Sequence, residues 1–356
     1  MIKFRKYLMF MLLCSSSLTY AQYSPKTRFR HASILIDSKL YFIGGFDSGA
    51  TTINNMIYLF GCLMVNDNTS LIYQYDINSN KWAVSSTVGP SLPAHRIRND
   101  VVIESSTGRI FYFGGNDDAN RLLNDMWIFN TNNNQLSWQQ ITTASISICC
   151  FSAILLPDGY ILYIGGRSND KDRDFYLNNI TRYNTKSNDW DVKKTKGDNI
   201  LYRPGFSANL VPDGRIIVYG GTEPLLSITV QDDLYVLNTT TYEWTIPEVE
   251  NKPITKSFHT ACLYENYMIV AFGMLNDNLP DSKIYLLDIT NKITYKWVTD
   301  FKSAESIENR NTHVVIIICA VVSSTSILIF IGLYRPYKKK GNNKQESSKI
   351  VFDDLN

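Results

Sequence analysis

The sequence is poor in helix signal, in histidine and in usefully spaced cysteine. No amphipathic stretch with a 3.6-residue period appears before residue 314, which argues against helical bundles and alternating βαβ folds. Four histidines are present, His31, His95, His259 and His313, a thin supply for a metal centre built on convergent imidazoles. Of the six cysteines, Cys14 lies in an apolar leader and Cys319 in an apolar run near the C-terminus. The other four, Cys62, Cys149, Cys150 and Cys262, form no CxxC or Cys/His spacing. A zinc site and a disulfide framework are therefore not expected, although adjacent Cys149 and Cys150 leave a vicinal disulfide open. Cys262, on an apolar run, reads as a small buried hydrophobe. The formal charge is only +2, and basic residues concentrate at the two ends, leaving the body at about −4. Nothing in that distribution suggests a nucleic-acid surface.

What the chain has is a repeat. LYFIGG ends at Gly44–Gly45, RIFYFGG at Gly114–Gly115, ILYIGG at Gly165–Gly166 and IIVYGG at Gly220–Gly221, while MIVAFGM carries the single Gly273. Each unit closes on a tryptophan: Trp82, Trp138, Trp190, Trp244 and Trp297. The Trp-to-Trp steps are 56, 52, 54 and 53 residues, and the last four glycine-to-Trp intervals are 24, 25, 24 and 24. Only the first interval departs, at 38. Each unit opens on a further apolar strand, such as HASILI at 31–36, FSAILL at 151–156 or FHTACLY at 258–264, and Pro-Asp-Gly turns at 157–159 and 212–214 join first strand to second. Four short strands per unit cannot bury both sheet faces alone, so neighbouring units must stack. Glycine after the second strand permits close backbone approach or a positive φ, and a recurring Trp fills the space between sheets. Trp127 falls outside the repeat slot and is expected to matter less.

The diglycine, the period near 50 residues and the Tyr-to-Trp spacing seen at Tyr75/Trp82 and Tyr183/Trp190 resemble kelch repeats. The resemblance covers roughly residues 28–300. It implies an all-β kelch propeller similar to the galactose-oxidase and attractin types, and more narrowly the membrane-anchored kelch proteins found in some fungi. A galactose-oxidase-like copper oxidoreductase would need two histidines, a Tyr–Cys cross-link and a Tyr-His pair. The neighbours of His31, His95 and His259 are Arg30, Ala94 and Phe258, so that alternative is disfavoured. His31 and His259 share a first-strand slot and read as packing or hydrogen-bonding residues.

Residues 1–21 read as a signal peptide, with Lys3, Arg5 and Lys6 before an apolar core and Thr19-Tyr20-Ala21 as a cleavage site. Residues 22–308 form the expected propeller ectodomain. Residues 309–334 form a stem and a transmembrane helix at 314–334, a stretch without charge and long enough to cross a bilayer core. Residues 335–356 form a basic tail, which the positive-inside rule places in the cytoplasm. The expected location is the plasma membrane or another secretory-pathway membrane. Sequons at Asn68, Asn179 and Asn238 suit that topology.

The long first unit looks like two repeats run together, with the end of one and the start of the next missing. INNMIYL sits where a third strand would, yet IYLFG at 57–61 also looks like a glycine strand. The expectation is five complete blades plus an incomplete sixth, with the apolar run 56–65 paired as a strand.

Candidate binding residues come from the loops after the glycine strands. They are Asn116 and Asp117 in one loop and Arg167, Asp170, Asp172, Arg173 and Asp174 in the next. In kelch propellers such loops cluster on one face and bind partners. The reading is a non-enzymatic surface module that engages an unknown extracellular protein or glycan, with no cofactor and no metal.

Overall fold

The structure is a computed structural model that describes residues 31–36, 39–43, 49–61, 71–132, 135–168, 177–201, 203–222, 234–275 and 279–301, and the backbone of 351–355. The expected signal peptide, the transmembrane stretch, Gly44, Gly45, Asn68, Asp170, Asp172, Arg173 and Asp174 lie outside the described residues. The described part is all β, and no helix within it is long and apolar enough to cross a membrane.

In chain order, β1 (Ala32–Ile36) and β2 (Lys39–Ile43) form an antiparallel hairpin. Blade one contains β3 (Gly49–Ile53), β4 (Met56–Phe60), β5 (Ile72–Asp76) and β6 (Lys81–Val84). The short β7 (Arg96–Ile97) precedes blade two, which consists of β8 (Val101–Glu104), β9 (Arg109–Phe113), β11 (Asp125–Asn130) and β12 (Ser137–Thr143). Between its second and third strands β10 (Asn116–Asp117) pairs back to β7. Blade three is β13 (Ile148–Leu155), β14 (Tyr160–Ser168), β15 (Asn179–Asn184) and β16 (Trp190–Lys194). After β17 (Lys196–Gly197), blade four is β18 (Phe206–Leu210), β19 (Arg215–Gly220), β20 (Leu234–Asn238) and β21 (Glu243–Thr245). After β22 (Glu248–Glu250), blade five is β23 (Thr260–Tyr264), β24 (Tyr267–Ala271), β25 (Ile284–Asp288) and β26 (Thr294–Val298). Finally β27 (Val351–Leu355) lies parallel to β2.

Each of the five blades is four antiparallel strands in sequence order. The second strands, RIFYF, YILYI, RIIVY and YMIVA, are nearly continuous apolar runs because both their faces are covered. Tyr75 sits opposite Trp82 across the β5–β6 hairpin and Tyr183 opposite Trp190, with ring centroids 5.1 and 4.9 Å apart. That cross-strand pairing explains the six-residue gap in the sequence. The Tyr hydroxyls donate to Asn80 and Asn188, 2.9 and 2.7 Å away, and both asparagines sit in the left-handed region at φ 53° and 62°.

The core is divided into seams between neighbouring sheets. Five apolar clusters bridge the hairpin to blade one and then each blade to the next. A sixth joins Leu40 and Phe42 of the hairpin to Ile269, Ala271 and Phe272 of blade five. The first strands also meet in a closed cycle: β1 touches β3 and β23, and β8, β13 and β18 link these around the ring. His259 Nε2 meets Ser207 Oγ of the preceding blade at 2.9 Å, and His31 Nε2 meets Thr260 Oγ1 of blade five at 3.0 Å. The two histidines thus repeat one inter-sheet contact, the second of them where the chain's start meets its last blade.

The diglycine positions sit on these seams. Gly114 adopts φ 59°, and a Cβ there would lie 2.5 Å from the carbonyl oxygen of Ile148 in the next blade. Both the conformation and the space demand glycine.

The first unit differs from the expected arrangement. The start of blade one is not missing: GATTI at 49–53 is its first strand. Asn54 and Asn55, at φ 51° and 61°, make the two-residue turn into β4, a geometry asparagine tolerates. MIYLF is therefore a second strand, ending at Gly61, which abuts the Arg96 carbonyl as Gly114 abuts Ile148. Among the described residues, β1 and β2 have no antiparallel third and fourth strands following them.

Burial holds His259 neutral. Desolvation first, then the charge of Lys256, pushes its pKa down to about 3. The unfolded chain takes up a proton below about pH 6.5 and the folded chain does not. This contribution to stability is therefore complete above pH 6.5 and lost as pH falls toward 3, by about 1.4 kcal/mol per unit from this group. Denaturant midpoints measured from pH 7 to 4 are expected to fall more steeply for the wild type than for His259→Gln.

Candidate functional site

The second strand of each blade ends, and the first strand begins, on the same face of the ring, so the loops between second and third strands gather there. The face is underpinned by buried cations. Arg96, fully buried, makes a fork of two hydrogen bonds to Asp125 at 2.8 and 2.9 Å and a third to the Gly114 carbonyl at 3.1 Å. Burial would raise the Asp125 carboxyl, yet the hydrogen bonds and charge of Arg96 hold it below its ordinary value. Arg203 occupies the same place in blade four and donates to the Tyr235 hydroxyl at 2.9 Å. Lys256 occupies it in blade five, with its ammonium 2.9 Å from Asp281 and 3.0 Å from the Lys283 carbonyl. In blade three the position is the apolar Ile148. Sequence reasoning passed over these cations. The signal was a basic residue three before the first-strand slot, at Arg96, Arg203 and Lys256, with Arg28 at the same distance from His31.

On this base stands the loop 116–124. Asp117 is buried and shapes it: Oδ1 accepts the backbone N–H groups of Ala119 and Arg121 at 3.1 and 2.8 Å, and Oδ2 accepts the Arg121 side chain at 2.7 Å. These bonds, the Arg121 side chain foremost, hold the Asp117 carboxyl below its ordinary pKa. Asn120 at φ 60° turns the chain, and Asn116 Nδ2 donates to its carbonyl at 3.3 Å. His95 Nδ1 lies 2.7 Å from Asp118 at the rim.

A cavity of about 390 Å³ opens here, lined by Asn116, Asn120, Arg121, Leu122 and Arg167. The structure thus brings together Asn116 and Arg167, which are 51 residues apart in the chain. Asp117 serves the loop from beneath and does not line the cavity. Asn120, Arg121 and Leu122 were missed from sequence, where they read as ordinary turn residues. Arg167 lies on the exposed end of β14 opposite Cys149, and Arg121 is mostly exposed beyond its bond to Asp117. Two guanidinium groups and two carboxamides with one leucine make a polar, wet cleft suited to carboxylate or carbonyl acceptors.

The Cys149 thiol, opposite Arg167, is held in the protonated form. The Cys150 thiol, 3.2 Å away, and burial push the Cys149 pKa far above its ordinary value. Cys262 is pushed up to about 12 by burial. Among the described residues, no group of three His, Cys, Asp or Glu side chains is placed to hold a metal ion. Of the described sequons, Asn179 and Asn238 are exposed, and Asn238 caps its own turn by accepting from Thr240 N–H at 2.9 Å.

Radial four-stranded blades with diglycine seams define a kelch-type β-propeller. The Attractin/LZTR1 beta-propeller family model matches residues 57–334, and the chain belongs to that family. It is similar to Kelch domain-containing protein 1 of Mus musculus, at 25% identity over 290 residues that cover 73% of this chain and 66% of the relative. It is also similar to Acyl-CoA-binding domain-containing protein 5 of Arabidopsis thaliana, at 22% identity over 66% of this chain and 36% of that protein. Putative protein tag-53 of Caenorhabditis elegans matches at 24% identity over 70% of this chain and 18% of its own length. The chain thus spans about a third or less of these last two relatives. Among solved structures, that of YjhT superposes with a TM-score of 0.63 at 10% identity, covering 78% of this chain and 99% of that one, a likeness of fold.

Proposed function

We propose that this propeller is a non-enzymatic binding module, anchored in a secretory-pathway or plasma membrane with the ring outside and residues 335–356 in the cytoplasm. On this reading the β1–β2 hairpin is the inner half of a sixth blade. The partner is an extracellular protein or glycan, held by the face that carries Asn116 and Arg167. The observation that supports this most is the cleft itself: Arg121 and Arg167 present guanidinium groups beside two carboxamides, on a base stiffened by the buried Arg96–Asp125 pair. Such a surface recognises carboxylates and carbonyl-rich loops. The kelch-type relatives support the protein-interaction reading.

The test is a capture experiment on intact cells displaying the full chain, with surface proximity labelling and a glycan array as readouts. Arg121→Glu with Arg167→Glu is expected to lower partner recovery at least tenfold while the ring stays folded, with the thermal midpoint falling only modestly because Arg121 is exposed but pairs with the buried Asp117 carboxylate. Unchanged recovery with a folded double variant would move the site elsewhere. Protease added to the same cells is expected to remove the ring and spare the tail; protection of the ring would overturn the topology.

A further inference from the structure

Cys149 and Cys150 open blade three, where an ordinary strand would hold their sulfurs apart. In a pleated strand consecutive side chains point to opposite faces. Cys150 breaks that alternation, because it adopts φ 60°, in the left-handed region. The break belongs to the fold. The same place is taken by Arg98 in blade two at φ 59°, Gly205 in blade four at φ 72° and Phe258 in blade five at φ 52°. The backbone N–H there closes a seam: Cys150 donates to the Arg98 carbonyl and Phe258 to the Gly205 carbonyl, both at 2.7 Å. In blade three the residues so placed are two cysteines, both thiols, and the turn brings their sulfurs to 3.2 Å.

The pair sits at the root of the loop 116–124. Ile148, the residue before it, donates its N–H to the Leu123 carbonyl at 3.2 Å and accepts from the Gly115 N–H at 2.8 Å. Its backbone is thus tied to both ends of that loop. Cys149 lies opposite Arg167, and the charges of Arg98 and Arg167 both reach its sulfur. Cys149 is buried and Cys150 half-buried, so Cys150 is the sulfur that a reagent from solvent meets first. Cys149, whose proton the Cys150 sulfur and burial retain, is placed to act second.

We propose that Cys149 and Cys150 form a thiol–disulfide exchange site, which takes glutathione disulfide as its oxidant and closes to a vicinal disulfide. Cys150, as the thiolate, attacks one sulfur of glutathione disulfide. That S–S bond breaks, a Cys150–glutathione disulfide forms, and the released glutathione thiolate takes a proton from solvent. Cys149 then attacks the Cys150 sulfur, and its proton passes to the second glutathione thiolate as that leaves. The pair gives up two electrons and two protons, which the oxidant gains as two thiols. The guanidinium groups of Arg98 and Arg167 favour the approach of a disulfide that carries carboxylates. Adjacent Cα atoms lie about 3.8 Å apart, below the roughly 4.4–6.8 Å that disulfides usually span, so the closed pair is strained and returns readily to thiols. Closure draws the sulfurs in from 3.2 Å and pulls on the Ile148 backbone that anchors the loop. None of this chemistry depends on a partner occupying the cleft.

The test exposes the reduced full chain to glutathione disulfide, then denatures it, alkylates it with N-ethylmaleimide and digests it with trypsin. Cleavage after Arg121 and Arg167 leaves both cysteines on one peptide, 122–167. That peptide is expected to be two hydrogens lighter and unlabelled, and to take two labels again after dithiothreitol. Cys149→Ser should hold glutathione on Cys150 as a lasting mixed disulfide, and Cys150→Ser should hold at least tenfold less. Reduced wild type should bind one phenylarsine oxide, which needs two neighbouring sulfurs, at least tenfold more tightly than either serine variant. In the oxidised chain the amides of Gly115, Leu123 and Ile148 should exchange at least fivefold faster. The wild-type measurements need no variant to fold. A wild-type peptide that stays doubly labelled under glutathione disulfide, or that carries glutathione without closing, overturns the exchange site. Closure with unchanged amide exchange overturns the pull on the loop and upholds the exchange site.

Discussion

Trp244→Ala is expected to cost about 3–5 kcal/mol of stability, as a large-to-small change in a sealed seam. Trp244 is 1% exposed and lies in the cluster that joins blades three and four. Trp138→Ala should behave alike, since its ring is surrounded by Phe60, Tyr112, Trp127 and Phe129. Trp82→Ala should cost well under half as much, because 37% of its surface already meets water. Trp127, expected from its place outside the repeat to matter less, is 4% exposed and donates to Asp125 at 2.5 Å. Its truncation belongs with the costly group. Denaturant melts of the four variants check the order. Equal losses at Trp82 and Trp244 would contradict the covered and uncovered seams.

Asp125→Ala is the second large effect, about 3–5 kcal/mol, because it leaves the buried guanidinium of Arg96 without its counter-charge. Arg96 lies against the Tyr112 ring, 4.9 Å from its centroid, and cannot reach solvent from a fully buried position. The double change Arg96→Met with Asp125→Ala should recover a good part of the loss, since a paired deletion removes the unmatched charge. Partner capture through the cleft above should fall in Asp125→Ala even at temperatures where the ring stays folded, because Arg96 also holds the Gly114 carbonyl at the root of the loop. A double variant no more stable than Asp125→Ala would show that the ion pair is not what the site depends on.

Much of the ring is legible in the sequence because its signals are local. The diglycine marks a seam where a following blade's carbonyl comes close, and Tyr and Trp with six residues between them mark one hairpin. The shared slot of His31 and His259 marks one inter-sheet hydrogen bond. The break in the first unit is not legible from period alone. GATTI has the glycine and threonines of a loop, and MIYLF is apolar enough for either a second or a third strand. What decides is the long-range contact of Gly61 with Arg96. The cleft is half legible: polar loops after the glycine strands point to Asn116 and Arg167. Their convergence depends on the packing of blade two against blade three. The cations beneath were hidden because a buried Arg reads as a surface residue until its carboxylate, 29 residues on at Asp125, is placed beside it.

The account stands on the ring being closed by residues 32–43, and amide hydrogen exchange tests this most directly. The amides that pair β1 with β2 are expected to exchange only through the same global opening as those of Ile161–Ile164 and Ile216–Tyr219. The seams to blade one and to blade five tie the hairpin to the whole ring. Exchange of the hairpin amides at the rate of a free loop, with the five blades still protected, would show that the ring closes without it.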